Sequence, residues 1–213
     1  MWACRIYDHP VRVLTIDTAT SAAAIGVVVD DVALDAAPVR EAAAAQHVLR
    51  VADATLRDRA LTIGDIDRIV VGRGPGSFTG LRIGLATALG LAAPHAIELI
   101  GVTTTAALRH AAGATSFAVV DARRGEVFAE GPGIELMACT AATLATRLPH
   151  GALLVGDGAV RYRGAFDGFL VPPDESPLHV PSAAAFAALA DQGGPATPQY
   201  VRAPDAVATV DRP

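Results

Sequence analysis

Charge and aromatic rings are both scarce in this chain: 18% of its 213 residues are charged and 5% are aromatic. The net charge is -5 and no basic run occurs. That argues against a chain that grips nucleic acid strongly by itself, because phosphate contacts need a basic face. Cysteine is nearly absent. Cys4 and Cys139 cannot build a disulfide framework or a zinc pair, so a reducing, cytoplasmic setting is expected. The six histidines are scattered without a His-x3-His pair, so no metal site is expected. No apolar run is long enough to span a bilayer, and no membrane association is expected. Residues 1–10 hold no apolar h-region and read as a loose leader rather than a signal peptide.

What is abundant is apolar material, 52% of the chain, much of it alanine. That is enough for a core with closely packed helices, in one large domain or two small lobes. Residues 11–16 form an apolar run ending at Asp17 and read as a buried strand. A polar turn, Asp17-Thr18-Ala19-Thr20-Ser21, leads to strands over 22–29 and 32–36, with Asp30-Asp31 as their hairpin turn. Residues 41–59 read as a helix whose apolar stripe is Ala45, Leu49, Ala52 and Leu56, with Val48 and Val51 widening it and His47 beside it. Strands are expected over 66–72 and 97–102. Helices are expected over 81–92, with Leu81, Leu85 and Leu89 on one face, and over 103–112 behind a threonine cap.

The organising stretch is residues 72–84, Gly-Arg-Gly-Pro-Gly-Ser-Phe-Thr-Gly-Leu-Arg-Ile-Gly. Gly74 and Gly76 allow positive φ on either side of Pro75. Ser77 and Thr79 both suit a helix N-cap. Arg82 sits in the first turn, against the helix dipole, which points to a carboxylate or phosphate partner. The stretch matches neither the P-loop nor the dinucleotide fingerprint, so a rigid turn that docks a helix is the preferred reading over an anion loop. Gly80, Gly84 and Ala88 recur every four residues and make a groove where another backbone can approach.

A pattern then begins again. Residues 116–121 form an apolar strand ending in Asp121, followed by the polar turn Asp121-Ala122-Arg123-Arg124-Gly125-Glu126 and a second strand, as Asp17 and its turn did. The echo predicts an α/β fold of two related ribonuclease-H-like lobes. The expected limits are 11–102 and 103–202, with 203–213 as a tail. Residues 156–158 read as a turn, 161–180 as loop, and 182–191 as a helix capped by Ser182.

Residues 74–84 resemble the signature of the TsaB family, also called YeaZ. Asp121 to Phe128 is similar to that family's Asp-Ala-Arg-x-Gly-Glu-Val-Tyr segment, and Pro198-Gln199-Tyr200-Val201-Arg202 to its closing Pro-x-Tyr-x-Arg. The resemblance implies two lobes of the actin-like ATPase, sugar kinase and Hsp70 superfamily. It also implies a non-catalytic subunit for threonylcarbamoylation of the tRNA adenosine next to the anticodon. Such a subunit has no catalytic residues and no cofactor of its own, and a nucleotide at the interface of the complex is the one candidate ligand. The implied partners are a TsaD-like catalytic subunit and a TsaE-like ATPase, with a homodimer when the chain is alone. The expected partner surface is His47, Leu49, Ala52, Leu56, Gly80, Gly84, Leu85 and Ala88. Asp17, Thr18, Ser77, Arg82, Asp121 and Arg123 are expected to make weak nucleotide or inter-lobe contacts. The alternative is an independent ATPase or phosphotransferase of the same fold, with Asp17 and Asp121 as the magnesium carboxylates. Against it, the second turn carries arginines where phosphate-binding glycines are needed.

Overall fold

The computed structural model describes residues 10–36, 38 and 47–202. Two sheets organise them. The first has the order β3-β2-β1-β4-β5, from β1 (Arg12–Asp17), β2 (Ala24–Val29), β3 (Val32–Asp35), β4 (Arg68–Gly72) and β5 (Glu98–Val102). The second has the order β8-β7-β6-β9, from β6 (Phe117–Arg123), β7 (Glu126–Gly131), β8 (Ile134–Thr140) and β9 (Leu154–Val155). The two repeat one plan. β1 lies between an antiparallel hairpin partner, β2, and a parallel neighbour, β4; β6 lies between antiparallel β7 and parallel β9. The sequence echo is therefore a structural repeat: an α/β fold of two sheets built on one plan.

Alternation along the strands sorts the first core. Leu14, Ile16, Ile69 and Val71 point to one face, against α1 (Val48–Arg57) and α2 (Phe78–Ala92). Val13, Val28, Val70 and Ile100 point to the other, where Phe186 of α6 (Ala183–Ala188) packs. So α6, far along the chain, crosses back onto the first sheet. Its start is tied to β3 by Asp35, which accepts the Ala183 N–H at 2.7 Å. α3 (Thr104–Ala112) serves both sheets: Ala107 joins the first core, and Leu108 packs with Ala118 and Val120 of β6. The far face of the second sheet is closed by Leu144 of α4 (Ala141–Ala145) and Ala159 of α5 (Asp157–Arg161).

Local signals set the element ends. Ser77, Thr103, Thr140 and Ser182 each accept a backbone N–H at their helix starts. Asp30 and Asp31 both take positive φ, the twist that a two-residue hairpin needs. α2 begins at Phe78, three residues before the expected start, because Ser77 is the cap and the exposed Thr79 is already helical. Residues 156–161 form a bend and the short α5, where only a turn and loop were expected. The expected helical stretch 41–46, with Ala45, lies outside the described residues, as do the leader 1–9 and the tail 203–213.

The two expected stripes twist off line. Leu81 and Leu85 are buried, but Leu89 is 60% exposed, since eight residues advance a helix well past two full turns. On α1 the buried face is Val48, Ala52, Thr55 and Leu56, and Leu49 stands on its flank at 58% exposure.

Candidate functional site

The glycine stretch is a docking turn between β4 and α2, and its partner is the turn after β1. Gly74 alone needs its permissive backbone, with φ at +94°. Gly76 was expected to share that role, but its φ is ordinary. It is required because a Cβ there would lie 2.2 Å from the Ala19 carbonyl oxygen. The Ser77 N–H donates to that same oxygen at 2.7 Å. One turn further on, the Thr18 hydroxyl donates to the Gly80 carbonyl at 2.7 Å. Cβ atoms on Gly80 and Gly84 would fall 2.0 Å and 2.3 Å from Thr18 oxygens.

This corrects the expected partner surface. The Gly80/Gly84 groove does receive another backbone, but it is the chain's own, at Thr18. Ala52, Leu56, Leu85 and Ala88 are buried in the first core. Of the eight expected positions, only Leu49 is exposed and His47 half-buried, at the start of α1. A stripe of small or apolar residues looks the same in sequence whether it faces its own molecule or another.

The carboxylates at the strand ends sit at the cleft between the lobes. Asp17 is completely buried. It accepts from the Thr104 hydroxyl at 2.7 Å and from the Ala19 N–H at 2.8 Å. Burial pushes its carboxyl up to about 6, and the nearby Asp157 adds to the rise, against the two hydrogen bonds. Asp121 repeats the turn: its Oδ1 accepts the Arg123 N–H at 2.9 Å and the Tyr162 hydroxyl at 3.0 Å. Arg123 and Arg161 pair with its other oxygen at 3.3 and 3.5 Å. The β6–β7 hairpin carries positive φ at Arg123, Arg124 and Gly125, and its register slips after Asp121. That bulge turns Arg123 to the rim of the cleft. Among the described residues no group of three or more His, Cys, Asp or Glu is placed to hold a metal ion.

Beside the cleft lies a cavity of about 440 Å³, lined by Ser77, Phe78, Leu81, Phe128, Arg123 and Tyr200 among others. Arg82 borders it. Its Nε donates to the Tyr200 hydroxyl at 3.3 Å, and its guanidinium lies 3.8 Å above the Phe78 ring. In place of the expected anion, Arg82 thus meets the Phe78 ring face and the Tyr200 hydroxyl of its own molecule. The segment carrying Tyr200 continues to Arg202, which pairs with Glu126 and donates to the Ala122 carbonyl at 3.4 Å. It straps α2 of the first lobe to the β6–β7 hairpin of the second.

Two residues of this region were not singled out in sequence. Thr104 stands at the start of an expected helix, yet Thr103 caps that helix and Thr104 holds Asp17. Asp157 lay inside an expected turn. It accepts the Ser21 N–H at 2.7 Å and the Asp121 N–H at 3.0 Å, so one carboxylate touches both lobes. No local pattern announces a partner 136 residues away.

Known proteins resemble the chain along most of its length. It is 36% identical over 200 residues to a protein of Mycobacterium tuberculosis described as uncharacterized, covering 91% of this chain and 93% of that one. It is 37% identical over 122 residues to the tRNA threonylcarbamoyladenosine biosynthesis protein TsaB of Escherichia coli, covering 55% of this chain and 53% of that protein. Residues 39–144 match the family model described as TsaD: tRNA N6-adenosine threonylcarbamoyltransferase. The solved structure of YeaZ from Pseudomonas aeruginosa superimposes with a TM-score of 0.72 at 24% identity, over 89% of this chain and 99% of that one; it shares the fold. With the Gly74–Gly84 signature, the repeated strand–Asp turn and the closing Tyr200–Arg202 strap all in place, the chain belongs to the TsaB (YeaZ) family.

Proposed function

We propose that this chain is a non-catalytic subunit of tRNA threonylcarbamoyladenosine biosynthesis that works by binding a TsaD-like catalytic subunit. The observation that carries this reading is membership of a family whose curated relatives are named for that biosynthesis. The geometry is in keeping with it. Asp17 and Asp121, the acids that a phosphotransferase of this fold would turn toward magnesium, are bonded to the chain's own Thr104, Tyr162, Arg123 and Arg161. The threonylcarbamoyl transfer then belongs to the partner, and any nucleotide sits where the two subunits meet. A TsaE-like ATPase joins that complex, and the chain pairs with itself when alone.

The docking face under this proposal is the outer side of α1 and α2, which pack on each other. It centres on Leu49 and Leu89, with His47 beside them. Large exposed apolar side chains on neighbouring helices are the usual material of a protein interface. Co-expression with the TsaD-like protein of the same organism tests this. Leu49→Arg with Leu89→Arg is expected to cut co-purification on the order of tenfold or more. The melting temperature should stay nearly unchanged, because exposed positions away from the core shift stability little. Undiminished co-purification of a folded double variant would count against this face. Normal threonylcarbamoyladenosine levels in cells lacking this chain would count against the function itself.

A further inference from the structure

The two lobes present the same turn to each other. At the end of β1, the Asp17 carboxylate accepts the Ala19 N–H; at the end of β6, the Asp121 carboxylate accepts the Arg123 N–H. One backbone N–H from each lobe also points to Asp157, that of Ser21 in the first turn and that of Asp121 near the end of β6. Both end on Asp157, one on each carboxylate oxygen, at 2.7 and 3.0 Å. Next to this carboxylate is a cavity of about 240 Å³, lined by Ser21, Asp121, Arg123, Asp157, Arg161 and His179 among others. The charged groups around Asp157 are Asp17, Asp121, Arg123 and Arg161, and both arginines are already paired with Asp121. The His179 ring faces the backbone, its Nδ1 accepting the Gly156 N–H at 3.2 Å.

We propose that Asp157 is a built-in anion. It fills the seat between the two turns, latches the lobes together and closes the cleft to inorganic phosphate and phosphate esters. Backbone N–H groups that converge from two lobes can hold an anion between them. A carboxylate carried on the same chain competes for it at a high effective concentration, which a free ligand cannot match. A phosphate entering the native cleft would meet the acids Asp121 and Asp157, and both of these backbone donors would already be taken. This inference is independent of partner binding, since it concerns the isolated chain.

The test uses the full chain in two measurements. In the native protein, exchange of the Ser21 and Asp121 amide hydrogens should be slowed on the order of tenfold or more against their free-peptide rates, as charge-assisted bonds impose. Ser21 is informative because its residue is exposed, so burial alone does not protect it. Titration with inorganic phosphate, followed on the same two amide resonances, should leave the native protein unchanged. Asp157→Ala should gain saturable phosphate binding at those amides. Free-peptide exchange at Ser21 in the native chain overturns the proposal, and this holds even if the alanine variant does not fold. So does phosphate binding that is equal in the native and alanine proteins, or absent from a folded alanine variant.

Discussion

Replacing Gly80 by alanine is expected to destabilise the protein by about 2 kcal/mol or more, although alanine is the better helix former. On propensity alone the change should stabilise α2 by roughly 1 kcal/mol. The tertiary contact reverses the sign. The new Cβ would lie 2.0 Å from the Thr18 carbonyl oxygen, which is backbone and cannot swing aside. The same threonine holds the Gly80 carbonyl through its hydroxyl, so moving one breaks the other. Relief requires α2 to lift from the turn after β1, which also strains the Ser77–Ala19 bond. Gly90 is the internal control. It lies in the same helix with nothing within 4 Å of where an added methyl group would sit, and its alanine variant should gain roughly 0.5–1 kcal/mol. Urea denaturation of the two variants should therefore move in opposite directions. Two shifts of the same sign would show that the Thr18–Gly80 approach is looser than described.

Exchanging Asp17 for asparagine should make the protein more stable at neutral pH. The carboxyl lies near 6 in the folded chain against an ordinary 3.8, chiefly because burial disfavours its charge. Below the ordinary value both folded and unfolded states are protonated there. Between about 4 and 6 only the folded state holds the proton, so stability falls as pH rises through that window. Above about 6 the buried charge is fully developed, and about two pKa steps correspond to roughly 3 kcal/mol lost. Asparagine carries no charge, keeps the shape and retains an oxygen for the Ala19 N–H, while the Thr104 hydroxyl can accept from its amide. The variant should gain on the order of 1–3 kcal/mol at pH 7.5 and match the parent near pH 4. Denaturation midpoints across pH 4–8 decide it. A parent whose stability rises across pH 4–6, or an asparagine variant weaker at pH 7.5, would sink this reading of Asp17.

Both predictions turn on Asp17, Thr18 and Gly80, which stood out in the sequence for other reasons. The glycine stretch was legible as a strand–turn–helix unit, and docking of a close backbone was the preferred reading. What received it was not legible. Thr18 and Gly80 lie 62 residues apart, and no spacing rule links them. The same limit hid Asp157 and made four core residues, Ala52, Leu56, Leu85 and Ala88, look like an interface. Arg82 was legible as a cation in need of a partner, but the groups that answer it are the Phe78 ring on its own helix and the hydroxyl of the distant Tyr200.

By itself, then, the sequence determined the things that near neighbours enforce. Apolar runs made the strands, Ser77, Thr103, Thr140 and Ser182 started the helices, and the two strand–Asp turns declared the repeat of lobes. Only the tertiary structure decided which helix face is buried, that α6 returns to the first sheet, and that Asp157 joins the turns of both lobes. The reason is physical. Caps and turns are settled by sterics and hydrogen bonds within a few residues, whereas those contacts depend on where distant segments come to rest.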